Sequence, residues 1–284
     1  MKHATDIPLS RRTFAATGLV AGFALAGGPV RADAIVTDAN GLDAGEVSIP
    51  VSDGVIPGYR ARPKGAAKSP AILVVQEVFG VHEHIRDICR RFAKLGYYAV
   101  APSLYARQGD PGKYDLSHTK ELFTDIVSKV PDRQVMSDLD ATAKFAGRDG
   151  ADLARLGITG FCWGGRIVWL YCAHSNAVRA GVAWYGPLKG EKSELRPVHP
   201  IDVAAQLKAP VLGQYGGLDK SITANDIEAM RAALKAAGKT DCRIDVFDDA
   251  QHGFFADYRP SYSARDAQIG WQHCLAWMRE HGVG

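Results

Sequence analysis

Cys162 stands two residues after Gly160 and two before Gly164, within Gly157-Ile158-Thr159-Gly160-Phe161-Cys162-Trp163-Gly164-Gly165. An apolar run leads into this stretch and a helix-like pattern leaves it. A nucleophile on a sharp strand-to-helix turn needs neighbours without a Cβ, because bulk there would collide with the strand or the helix. Such a turn sets a thiol at a helix N-terminus, where backbone N–H groups and the dipole favour a thiolate. Taken alone, the spacing suits equally well a small buried thiol beside a glycine turn. Further along, Asp219 follows Gly216-Gly217-Leu218, and His252 precedes Gly253. Each alone reads as a turn or loop residue. In the order Cys162, Asp219, His252 they supply a nucleophile, an orienting acid and a base. Cys162 would attack an acyl carbon, and His252 would take the thiol proton and return it to the leaving group. Asp219 would fix the imidazole tautomer and stabilise its charged form.

These residues must be held by a framework, and the hydrophobic pattern predicts one. Residues 46–51 and 56–62 alternate as two strands joined by a turn at Asp53-Gly54. Continuous apolar runs at 70–75, 97–101, 156–161, 180–185 and 209–215 read as strands buried on both faces, and 242–247 alternates. Helical patterns fall between them at 84–95, 116–129, 132–147, 165–174, 223–237 and 263–280. Residues 104–113 and the polar, proline-bearing stretch 190–200 read as loops. Strands alternating with helices predict an α/β protein whose mostly parallel sheet carries helices on both faces. Ligands in such sheets bind beyond the carboxyl ends of the strands. Glu77, Cys162, Asp219 and His252 all fall just past predicted strand ends.

The chain has 284 residues and an ordinary globular composition, 46% hydrophobic and 23% charged. Ser10-Arg11-Arg12-Thr13-Phe14, a weakly apolar run to Gly28 and the small-residue site Val30-Arg31-Ala32 are the marks of a twin-arginine export signal over residues 1–32. Residues 33–284 then form a single domain, delivered to the periplasm or secreted. Residues 1–32 hold four basic side chains and one acidic, so their removal takes the formal charge from +3 to zero. A neutral mature chain points away from nucleic acid and membrane surfaces as partners. The five cysteines, Cys89, Cys162, Cys172, Cys242 and Cys274, include no zinc-type spacing, so no metal is expected. An odd count leaves at least one thiol unpaired, and the sequence does not say which others pair.

Four ordered motifs between about residue 46 and the C-terminus resemble the dienelactone hydrolase family, the carboxymethylenebutenolidase-like branch of the α/β-hydrolases. They are Gln76-Glu77-Val78-Phe79-Gly80, Ala101-Pro102-Ser103-Leu104-Tyr105-Ala106-Arg107, Gly160-Phe161-Cys162-Trp163-Gly164-Gly165 and Gln251-His252-Gly253-Phe254. The resemblance implies an enzyme acting on a small lactone or ester, dienelactone in the family; a monomer without a cofactor is expected. It implies that Glu77 contacts Cys162 and helps convert it to thiolate. The oxyanion hole would be the backbone N–H groups of Val78 and Trp163. Arg107 would hold a substrate carboxylate with its planar fork. The sequence departs from the pattern at Ser103, where the family often has an acid. It departs again at Ala256, where the best-known members carry an arginine. Arg259, three residues later, is either the replacement that binds substrate or a surface charge. Two other classes stay open on residues alone: a thiol-redox protein using Cys162, and an inactive binding protein on the same fold.

Overall fold

The computed structural model describes residues 34–284, so the expected export signal lies outside the described residues. Eight strands form one sheet: β1 (Leu42–Val51), β2 (Gly54–Pro63), β3 (Ser69–Val75), β4 (Tyr98–Pro102), β5 (Ala151–Phe161), β6 (Val178–Trp184), β7 (Val211–Gly216) and β8 (Arg243–Phe247). Their order across the sheet is β1-β2-β4-β3-β5-β6-β7-β8. The β1–β2 hairpin and the β2–β4 pair are antiparallel, and every pairing from β4 to β8 is parallel. Ile72, Leu73, Val74 and Val75 of β3 are wholly buried, as a central strand covered on both faces requires.

The helices are α1 (Glu83–Lys94), α2 (Thr119–Asp125), α3 (Asp132–Arg148), α4 (Trp163–His174), α5 (Ala224–Ala236) and α6 (Ala264–Glu280). α1 and α6 meet through the Phe92 and Trp271 rings, 4.7 Å apart. α3 and α4 meet where the Tyr171 hydroxyl donates to Asp140 at 2.9 Å. Each connection between parallel strands thus carries a covering helix or loop, and the loops at the strand ends are left to build a site.

One expectation needed revision. The helix predicted over 116–129 is broken into a 3₁₀ turn at Leu116–His118, α2, and a second 3₁₀ turn at Val127–Lys129. Leu122, Ile126, Val127 and Val130 are all buried, a spacing no continuous α-helical stripe would bury while leaving Phe123 exposed. The polar stretch expected as a loop is a largely exposed loop over residues 190–199 and runs into a 3₁₀ segment, Pro200–Gln206, capped reciprocally by His199 and Asp202.

Candidate active site

Cys162 sits between β5 and α4 with φ 55° and ψ −119°, a conformation L-residues rarely adopt. The strain is held by the backbone around it. The Cys162 N–H donates to the Trp184 carbonyl at 3.0 Å, and Gly165 N–H donates back to the Cys162 carbonyl at 2.9 Å. The flanking glycines are required by contact. A Cβ on Gly160 would lie 2.4 Å from the Gly164 oxygen. A Cβ on Gly164 would lie 2.5 Å from the Gln76 oxygen and 2.6 Å from that of Val75. Gly164 therefore lets the first turn of α4 press against the end of β3 and brings the Gln76–Gly80 loop beside the thiol. Because the atoms in the way are backbone, Gly164→Ala should destabilise the fold by about 3 kcal/mol or more. An unchanged urea midpoint would show that the β3–α4 approach tolerates a methyl group.

The loops after β7 and β8 are tied together by backbone bonds: Gly217 N–H donates to Phe247 and Leu218 N–H to Ala250, at 2.8 and 2.9 Å. This pairing brings Asp219 to His252. Asp219 Oδ2 lies 2.7 Å from His252 Nδ1. Its Oδ1 accepts from the Ser221 N–H at 2.8 Å, the Ser221 hydroxyl at 2.6 Å and the Ile222 N–H at 3.1 Å. The turn reading and the orienting reading of Asp219 thus both hold, one on each oxygen. Burial favours the neutral carboxyl, but the His252 and Ser221 hydrogen bonds hold Asp219 below the usual carboxylate range. The His252 ring packs edge-on against Tyr185 at 5.1 Å. Burial opposes its protonation, yet the Cys162 charge and hydrogen bond, with Asp219 on the far side, raise it from 6.5 to about 10.

Glu77 is wholly buried just past β3. Tyr258 donates its hydroxyl to Oε2, His82 Nε2 lies 3.3 Å from the same oxygen, and Arg259 Nη2 donates to Oε1 at 3.1 Å. Arg259 Nε also donates to the Tyr258 hydroxyl at 3.1 Å, and its guanidinium lies over the Phe79 ring at 5.5 Å. Burial alone would raise Glu77, but the Arg259 charge and the His82 hydrogen bond hold it well below the ordinary carboxylate value. These three donors are the hydrogen-bond partners of Glu77, and the Cys162 thiol is not among them. Of the two readings of Arg259, the surface charge is excluded: it reaches the buried acid of the site. Tyr258 and His82 were missed by sequence reasoning, because a tyrosine beside an arginine and a histidine before a helix carry no spacing signal.

Arg107 is the correction. Its Nε and Nη2 bind Asp53 at 2.7 and 2.5 Å, and its Nη1 and Nη2 bind Asp138 at 2.7 and 3.0 Å. Both edges of the fork are closed on protein acids, so Arg107 staples the β1–β2 turn to α3 and is not turned to a substrate. Of the two expected oxyanion donors, Trp163 N–H opens α4 and so has no acceptor within the helix. The Glu77–Gly80 turn is closed by Gly80 N–H to the Glu77 carbonyl at 3.1 Å, leaving Val78 N–H outside that bond. Among the described residues there is no cluster with the makings of a metal site, and no helix is long and apolar enough to cross a membrane.

The sheet order, the strained turn after the fifth strand and the acid and histidine loops after the seventh and eighth define a hydrolase of the α/β-hydrolase fold. A model of the dienelactone hydrolase family matches residues 56–282. A protein of Methylorubrum extorquens, provisionally named carboxymethylenebutenolidase, is 61% identical over 282 residues, covering 99% of this chain and 96% of its own. One of the same provisional name from Escherichia coli K12 is 51% identical over 268 residues, covering 94% and 98%. A crystal structure of a provisionally assigned dienelactone hydrolase from Klebsiella pneumoniae superposes with a TM-score of 0.81 at 55% identity, covering 84% of this chain and 99% of that one. The chain belongs to the dienelactone hydrolase family.

Proposed function

We propose that the protein opens a small lactone or ester through a thioacyl intermediate on Cys162, with His252 and Asp219 completing the machinery. The observation that carries this reading is the strained turn that presents Cys162, φ 55°, together with His252 held by Asp219 at 2.7 Å. An imidazole oriented by a carboxylate can take the proton of a neighbouring thiol and so make it a nucleophile. It adds to the acyl carbon, and the oxygen of the tetrahedral adduct is received by the Trp163 and Val78 N–H groups. Collapse breaks the ring or ester bond as His252 gives its proton to the leaving oxygen. Water, deprotonated by His252, then cleaves the thioester and releases a carboxylate product. Glu77 serves by fixing Arg259, whose charge together with the His82 hydrogen bond keeps the acid ionised. The relatives' names favour a dienelactone-type substrate.

A panel of lactones and aryl esters, dienelactone among them, assayed on residues 33–284 tests the reading. Turnover of at least one lactone or ester is expected, and a blank panel would overturn it. We further infer export through the twin-arginine signal at residues 1–32, supported by Arg11, Arg12 and the apolar run after them. Recovery of the protein solely in the cytoplasmic fraction of cells would reject it.

A further inference from the structure

Among the described residues two that are not glycine have a positive φ, Cys162 and, at 37°, Tyr185. An aromatic side chain is costly in that backbone region, where glycine or asparagine would sit without strain. Tyr185 follows directly on β6, and the backbone around it is clamped. The Trp184 carbonyl before it holds the Cys162 N–H at 3.0 Å. Its own N–H donates to the Gln214 carbonyl of β7 at 2.8 Å. Gly186 after it has no room for a Cβ, which would lie 2.3 Å from the Gly165 carbonyl carbon and 2.4 Å from the Arg166 nitrogen in the first turn of α4. The segment that fixes the nucleophile's turn therefore also carries the Tyr185 ring. A bulky residue kept in a strained conformation by its surroundings points to a use for its side chain.

That side chain is wholly buried and stands against the loop after β8 at two points. The Tyr185 and His252 ring centroids are 5.1 Å apart with 64° between the planes, and those of Tyr185 and Phe254 are 5.5 Å apart with 68°. Phe161, the residue before the nucleophile, braces the same ring at 6.4 Å. His252 needs such a wall. Its Nδ1 is tied to Asp219 at 2.7 Å, but a hydrogen bond at one corner of a ring does not by itself set the ring's tilt. Its side chain is 26% exposed, so solvent replaces packing over part of its surface. Among the described residues Tyr185 is the aromatic ring that touches it. Edge-on aromatic pairs prefer an angle as well as a distance, which an aliphatic chain in the same place would not impose. The Tyr185 hydroxyl, though buried, makes no hydrogen bond among the described residues, so what reaches His252 is the ring.

We propose that Tyr185 is a positioning residue for the reaction: its ring sets the tilt of the His252 imidazole, so that base and nucleophile are aligned from one backbone segment, residues 184–186. The proposal rests on the Cys162 acyl-transfer reading for its part in turnover and is separable from it by test. Tyr185→Phe keeps the ring and breaks no hydrogen bond, so it should open dienelactone or p-nitrophenyl acetate within about threefold of the wild-type rate. Tyr185→Leu fills similar space without a flat face. Its kcat should fall about 30-fold or more while KM stays within about threefold, because a small misalignment of a catalytic group is a loss in kcat. Circular dichroism checks its fold; if it unfolds, Tyr185→Met, whose flexible chain refits the same space, takes its place. A loss in Tyr185→Phe as large as that in Tyr185→Leu, an unchanged rate in Tyr185→Leu, or a loss carried by KM would overturn the assignment. Alkylation of Cys162 by iodoacetamide, followed by mass spectrometry, removes dependence on turnover, because His252 takes the thiol proton there too. At neutral pH it should slow about tenfold in Tyr185→Leu, with its profile moved to higher pH, and stay unchanged in Tyr185→Phe. Lost packing alone would lower the stability of Tyr185→Leu without moving that profile, and this result would overturn the role. If wild-type protein opens no lactone or ester but the profile moves as stated, the role of the ring stands and the acyl-transfer reading falls.

Discussion

Cys162→Ala should lower lactone or ester opening by about five to six orders of magnitude, because nucleophile and base act as one unit. The fold should survive. Alanine takes the same strained backbone, held by the same bonds from Cys162 N–H to Trp184 and from Gly165 N–H back to residue 162. The side chain is half-buried and packs at the margin of the core, so losing one sulfur atom leaves little cavity. Purified variant assayed beside wild type, with thermal unfolding by circular dichroism, checks both halves. A variant within tenfold of wild-type rate would remove Cys162 from the chemistry. The same variant carries a spectroscopic signature. Among the groups that raise His252, the Cys162 charge comes first, so without the thiol the imidazole should titrate well below about 10, read by NMR of its ring protons.

Asp219→Asn should cost about three to four orders of magnitude in kcat while leaving the loop intact. Asn keeps an oxygen for the Ser221 and Ile222 bonds that shape the turn. What it loses is the charge 2.7 Å from His252 Nδ1, and its amide favours the wrong tautomer. The pH dependence follows in sign. A folded value of about 10 against an ordinary 6.5 means that the charged imidazole adds stability below pH 6.5, and that this contribution fades as pH rises through about 10. Activity that needs the imidazolium–thiolate pair should therefore hold through neutrality and fall along an alkaline limb near pH 10. In Asp219→Asn that limb should move to lower pH. A limb at the same pH in both proteins would mean that another group sets it.

What the sequence made legible follows from side-chain length. Cys162, Asp219 and His252 sit on short stems at strand ends, so placing the strand end nearly places the functional atom. The glycine spacing around Cys162 likewise reports a backbone approach, and the backbone is what the hydrophobic pattern predicts. Arginines escape this logic. Arg107 lies on a motif that implied substrate binding, yet its long stem carries the guanidinium to Asp53 and Asp138, acids of the β1–β2 turn and of α3. Arg259 was ambiguous for the same reason, since nothing in its spacing from His252 tells whether the stem folds inward to Glu77. The stretch 190–200 read as exposed loop from its polar composition, and most of it is; its anchorage at Val198 comes from Arg166, a residue on another element that no local pattern connects to it.

The cysteines give the folded molecule a countable chemistry. All five are free, but Cys89, Cys172 and Cys274 are wholly buried, and burial pushes each of their thiols far up. Cys242 is partly reachable, yet burial lifts it to about 11, so at neutral pH it is almost entirely the unreactive thiol. On the proposed mechanism Cys162 should then be the one fast-alkylating sulfur among these five. A single equivalent of iodoacetamide therefore doubles as a census, reporting the fraction of any preparation that is correctly assembled. Three sealed thiols also mean that, if the chain is exported already folded, Cys89, Cys172 and Cys274 are closed to disulfide exchange with Cys162.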